Sequence, residues 1–126
     1  MKRALALCAC LAVPAQAQQA VVTLPTIPTL PAGEARHLLN ILVHASIAAA
    51  NCDGVADTAS PLLLLWGAMD LVSDQLAMDD QAMGLVRTPV LVALGKPGFC
   101  TAESARFGLV MDMLVFWGGS LTLIRD

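Results

Sequence analysis

Hydrophobic positions return at helical spacing through most of this chain. From Ala32 to Asn51, residues Leu38, Ile41, Leu42, Ala45, Ala48 and Ala49 recur every three or four positions, which predicts a first helix. Pro31 suits its start, and Glu34 suits the electropositive end of its dipole. A second helix is expected after Ser60-Pro61, read as N-cap and first helical position. Its apolar stripe is Leu62, Leu65, Trp66, Met69, Val72 and Leu76, with Gly67, Asp70 and Asp74 on the other side. Asp79 or Asp80 can cap a short helix reaching Arg87, and Thr88-Pro89 opens another that ends at Gly95. Lys96-Pro97-Gly98 reads as a turn. Thr101 then caps a last long helix from Ala102 to Trp117, which Gly118-Gly119 ends or bends. Period-two alternation is scarce, Tyr is absent, and no Asn-Gly or Asp-Gly pair stands between alternating runs, so no strands are expected. The pattern predicts an all-α fold, a small bundle of four to five helices.

The bundle is expected to follow two segments of another kind. Lys2 and Arg3 precede an apolar run from Ala4 to Val13, Pro14 breaks it, and Ala15-Gln16-Ala17 supplies small residues at alternate positions. That is the layout of a secretory signal peptide over residues 1–17, too short to span a bilayer. Residues 18–31 hold Pro25, Pro28 and Pro31 and read as a Pro-rich extended arm, a tether whose aliphatics could lie along the surface. Residues 32–126 form the helical domain. The expected location is periplasmic or secreted, with cleavage near Ala17. Cys8 and Cys10 fall in the leader. Cys52 and Cys100 remain as an even pair in an oxidising compartment, so a disulfide is expected. Nothing beside Cys52 would depress its pKa, because Asn51, Asp53 and Gly54 carry no cation.

Charge narrows the function. The formal net charge is −3, and loss of Lys2 and Arg3 with the leader makes the remainder two units more acidic. No basic patch exists for neutralising phosphates, which argues against nucleic acid and against anionic lipid. The chain is 57% hydrophobic and only 13% charged, more apolar than a domain of ~109 residues can readily bury. Some of that surface is therefore expected to meet a partner, a second copy or a membrane. The last helix concentrates the excess. At 100° per residue, Thr101, Ser104, Ala105, Gly108 and Asp112 make a small or polar strip, and Leu109, Val110, Met113, Leu114 and Trp117 fill most of the rest. The small strip would let another helix approach, and Asp112, if buried there, would need a donor such as Arg106, Arg36 or a backbone amide. Leu109, Met113, Trp117, Gly108 and Asp112 are the candidate interaction surface.

Several short motifs stand in a definite order: Asn51-Cys52 closing the first helix, Asp79-Asp80 after the second, Phe99-Cys100 before the last, and Gly119-Ser120-Leu121-Thr122-Leu123-Ile124-Arg125 at its end. This order resembles a group of small two-cysteine, mostly helical periplasmic proteins of alphaproteobacteria, over Asn51 to Arg125. The second and last helices here are more apolar than in that group. The resemblance implies an exported address and a helical fold, and no activity.

Reactive groups are few. His37 and His44 lie two turns apart, about 10 Å along the axis, too far to share a metal without a third element. Thioethers suit Cu(I), and Met78 and Met83 flanking the acidic turn, with His44 or a carboxylate, are the candidate soft-metal set. Packing by flexible side chains explains the methionines more simply, Met69 and Met113 lying on core stripes. Asp70, Asp74, Asp79 and Asp80 read as a solvated face and a helix cap, lacking the central Gly and terminal Glu of a calcium loop. No nucleophile elbow, His-Glu-x-x-His or phosphate loop occurs. The expected function is therefore non-catalytic and cofactor-free: contact with an unidentified protein partner or self-association. Membrane association through the apolar stretch Phe107 to Ile124, interrupted by Asp112 at a cost of about 3 kcal/mol, and copper binding are the alternatives.

Overall fold

The computed structural model describes residues 19–56 and 58–124. The leader expected over residues 1–17 lies outside the described residues. Four helices follow one another: α1 (Ala32–Asn51), α2 (Ser60–Gln75), α3 (Asp80–Leu94) and α4 (Phe99–Phe116). Two short strands, β1 (Gln19–Thr23) and β2 (Ser120–Ile124), flank them. The helical class agrees with the periodicity, and the strands correct it. They pair antiparallel, Gln19 opposite Ile124 and Thr23 opposite Ser120. Val22 and Leu121 are opposite each other and both pack on the helical core, while Val21 points outward. Alternation in Ser120-Leu121-Thr122-Leu123 was the available signal. It was weak because each strand is too short to hold alone and its partner lies at the far end of the chain.

Helix α1 is the central element. It supplies nine buried residues, against six from α2, four from α4 and one from α3, and it packs against all three. Leu39, Leu42 and Val43 of α1 meet Leu64, Leu65 and Val72 of α2 and Leu114 of α4 in one cluster. The α2 stripe is turned from the expected one. Leu64, Leu65, Ala68, Met69 and Val72 are buried, whereas Trp66 is 48% exposed. Successive helical residues stand about 100° apart, so a face centred on Leu65 and Val72 leaves Trp66 at its edge.

The arm is docked rather than loose. Thr26 N–H donates to Trp117 O at 2.7 Å. Gln75 clasps it from both sides, its Nε2 donating to Pro28 O (3.0 Å) and its Oε1 accepting from Leu30 N–H (3.2 Å). Leu24 lies over Gly67, where a Cβ would collide with its methyl groups. Helix α2 is thus enclosed between α1 and the arm.

Helix ends follow local chemistry with small displacements. Ala59, not Ser60, is the cap position of α2, with Pro61 just inside. Asp79 caps α3, accepting from Ala82 N–H at 2.8 Å. The two short helices expected around Thr88-Pro89 are one, α3, with Pro89 inside it. Pro89 faces solvent, where the carbonyl it leaves free can be hydrated, and Thr88 Oγ1 donates to Gly84 O. Helix α4 begins at Phe99 rather than Ala102 and ends at Phe116 rather than Trp117. Gly98, at φ +87°, turns the chain into it, and Thr101 caps nothing. At its end Gly118 N–H donates to Val115 O and Gly119 N–H to Leu114 O, with Gly118 at φ +95°, a Schellman closure.

The same closure ends α2, with Ala77 N–H to Asp74 O and Met78 N–H to Ser73 O, but the left-handed position there is Ala77, at φ +53°. A side chain in that region costs about 1 kcal/mol or more. Ala77→Gly is therefore expected to raise stability by up to ~1 kcal/mol, read as a higher urea midpoint at unchanged slope. An unchanged or lower midpoint would contradict the strain.

Cys52 and Cys100 form a disulfide, as expected, with Cα atoms 5.5 Å apart. It ties the C-cap of α1 to the first turn of α4.

Candidate functional site

The polar face of α1 carries His37, Asn40 and His44, and the two helices on either side of it barely touch each other. A cleft results, floored by α1 and walled by α3 and α4. His44 holds a fixed orientation in the floor. Its Nδ1 lies 2.8 Å from Asn40 O, a group that only accepts, so Nδ1 carries the hydrogen. Its ring stacks on Phe99 at 6.2 Å between centroids.

Two grooves meet over Asn40 and His44. The α3-side groove, about 470 Å³, is lined by Arg36, Leu39, Met78, Leu85 and Pro89 among others. The α4-side groove, about 540 Å³, is lined by His37, Ile41, Arg106, Leu109 and Met113. Past Ile41 and Met113 the latter runs on into an open, mainly apolar depression of about 400 Å³ bordered by Leu30, Glu34, Leu38 and Trp117. Leu85 and Leu109, 75% and 71% exposed, stand at the two lips. These volumes fall within the range of small-ligand sites.

The buried carboxylate of the site is Glu103, not Asp112. Glu103 is 5% exposed and accepts from Arg106 Nη1 at 3.0 Å. Asp112 is exposed and needs no donor. A negative group inside a packed helix interface is retained where a cation can reach it. Arg106 sits three residues on, with most of its side chain in solvent.

The candidate interaction surface divides between two faces of α4. Met113 and Trp117 are half-buried along the apolar groove against α1. Gly108 and Asp112 lie on the exposed small strip, which no other described element approaches closely enough to bury. Leu109 stands between the two. Phe116, 85% exposed, is the residue sequence reasoning missed. It follows Leu109 by seven positions, so the two point within about 20° of each other, and that spacing was the available signal.

The soft-metal set is not assembled. Met78 borders the α3-side groove with His44, and it also borders a polar depression with Met83, Asp70, Asp74, Asp80 and Arg87. His44 and Met83 therefore line different cavities. Met78 and Met83 both pack against the hydrophobic core. Among the described residues no group of three or more His, Cys, Asp or Glu is placed to hold a metal ion. Nor is any described helix long and apolar enough to cross a membrane. Chemically, the site offers apolar walls, one oriented guanidinium and two imidazoles, an arrangement for binding. No family model, no curated protein and no solved structure matches this chain, so the reading of its function rests on this geometry.

Proposed function

We propose that this is an exported, non-catalytic helical protein that works by contact, through the outer face of α4, with a second protein or a second copy of itself. The observation that carries the reading is the pair Leu109 and Phe116, 71% and 85% exposed and adjacent along one helix face. Val115, 58% exposed, widens the apolar surface on the far side of that helix. A soluble small domain gains nothing from leaving a large aromatic in water, and burying one against a partner contributes roughly 1.5–3 kcal/mol. The disulfide is compatible with an oxidising, exported location, and the leader pattern of residues 1–17 and the resemblance to two-cysteine periplasmic proteins support the same address.

Light scattering on the eluting protein over residues 18–126 tests the contact. The expected result is a concentration-dependent dimer, and Phe116→Glu is expected to raise its dissociation constant at least ~10-fold with the thermal midpoint unchanged, since Phe116 is outside the core. A strict monomer that also binds no surface-sensing dye would end this reading. Mass spectrometry of exported material is expected to show a chain beginning at Gln18.

A further inference from the structure

We propose that the groove along the α1–α4 seam binds a single-chain anionic amphiphile, such as a fatty acid, with its head group on Arg106 and its chain laid over Ile41, Met113 and Trp117. The inference goes beyond the contact reading: Leu109 borders both the groove and the contact face, whereas Phe116 borders neither part of the groove.

Three observations carry it. First, the groove is graded. At one end stand Arg106 and His44, His37 borders both parts, and at the other end the lining is mainly Leu30, Leu38 and Trp117. A peptide strand or helix would call for alternation along its length, whereas a head-and-tail ligand calls for this gradient. Second, the length fits. Arg106 on α4 and Trp117 at its C-cap are eleven residues apart, and His44 and Gly33 are eleven apart on α1, about 16 Å by helical rise on either wall, the reach of a medium-length acyl chain. Third, the head end offers oriented guanidinium donors, with Glu103 balancing the Arg106 charge. Arg106 is held by a single hydrogen bond from Nη1 to buried Glu103 and remains 66% exposed, so most of its five N–H donors are free for a carboxylate or sulfate, already oriented. Glu103 faces the same end and Glu34 the other. Glu103 is occupied by Arg106, and Glu34 is exposed at the far mouth, away from the head group.

The chain has two tryptophans, so Trp66→Phe leaves Trp117 as a reporter inside the groove. Fluorescence and calorimetric titration of this disulfide-bonded protein with laurate, below its micelle concentration, is expected to saturate at one per chain. 1-Dodecanol, of equal chain length and no charge, is expected to bind at least ~10-fold more weakly. Met113→Glu, which places a carboxylate against the chain, is expected to weaken laurate at least ~10-fold. Arg106→Gln is expected to erase the preference for laurate over dodecanol while leaving dodecanol binding as it was. Should Arg106→Gln fold poorly by leaving Glu103 unpaired, the double variant Glu103→Gln/Arg106→Gln makes the same comparison without a buried charge. Equal affinity for laurate and dodecanol, unsaturable uptake, or indifference to Met113→Glu would each overturn the proposal. A dimer that dissociates with Phe116→Glu but binds no laurate would refute this inference and leave the contact reading standing.

Discussion

Removal of the Cys52–Cys100 bridge, by reduction or in the double variant Cys52→Ala/Cys100→Ala, is expected to lower the unfolding free energy by about 4 kcal/mol. The bridge closes a loop of 48 residues, and loop closure removes entropy from the unfolded chain in proportion to the logarithm of that length. A domain of this size has a total stability of roughly 5–15 kcal/mol, so the loss is a large share. The loop contains the whole of α2 and α3. Helix α2 is clasped by α1 and the arm, but α3 contributes only Val90 to the buried core. The reduced protein is therefore expected to lose α3 first. Urea unfolding of oxidised and reduced protein reads the total, and hydrogen exchange reads the order, with the α3 amides gaining the most in rate. Coincident urea midpoints, or an α3 that stays as protected as α1, would show that packing holds the fold without the bridge.

Leu42→Ala is expected to cost about 3–4 kcal/mol, within the range for truncating a fully buried leucine. Leu42 is 0% exposed on the helix that touches every other one, and its neighbours Leu65, Val72 and Leu114 are equally buried. With Leu42 they span three packed elements, α1, α2 and α4, which cannot collapse into the space without moving apart elsewhere. The matching control is Leu85→Ala. It removes the same atoms from a side chain 75% exposed at the lip of the cleft and is expected to change stability by no more than about 0.5 kcal/mol. Equal costs at the two positions would mean that α1 is not the centre of the core.

Much of the helical frame could be read one residue at a time. Asp79 as the α3 cap, Gly118-Gly119 as the α4 stop and Pro31 at the α1 start act through their own backbone and the next turn, so neighbouring residues suffice to place them. The helix face that turns inward is a different matter. Trp66 and Leu64 are both large and apolar, and periodicity admits either as the centre of a stripe. Which one is buried depends on where α1 and the arm lie, and Gly67 is the residue that lets Leu24 come down on the outer side. The candidate site shows the same division. Met113 and Trp117 were found because they lie on a helical stripe. Their separation from Gly108 and Asp112, and the exchange of Asp112 for Glu103 as the buried acid, follow from the position of α1 against α4.

By itself, the sequence determined the helical segments, some of their ends and the pairing of Cys52 with Cys100, because caps, turns and apolar period act over a few residues; it did not determine that the helices on either side of Thr88-Pro89 are one. Only the tertiary structure decided that Gln19–Thr23 and Ser120–Ile124 join as a ribbon, that α3 and α4 stand apart over His44, and that a groove runs between α1 and α4 from Arg106 to Trp117. Those features are relations between segments distant in the chain. They depend on how each segment's burial constrains the others, which no local pattern contains.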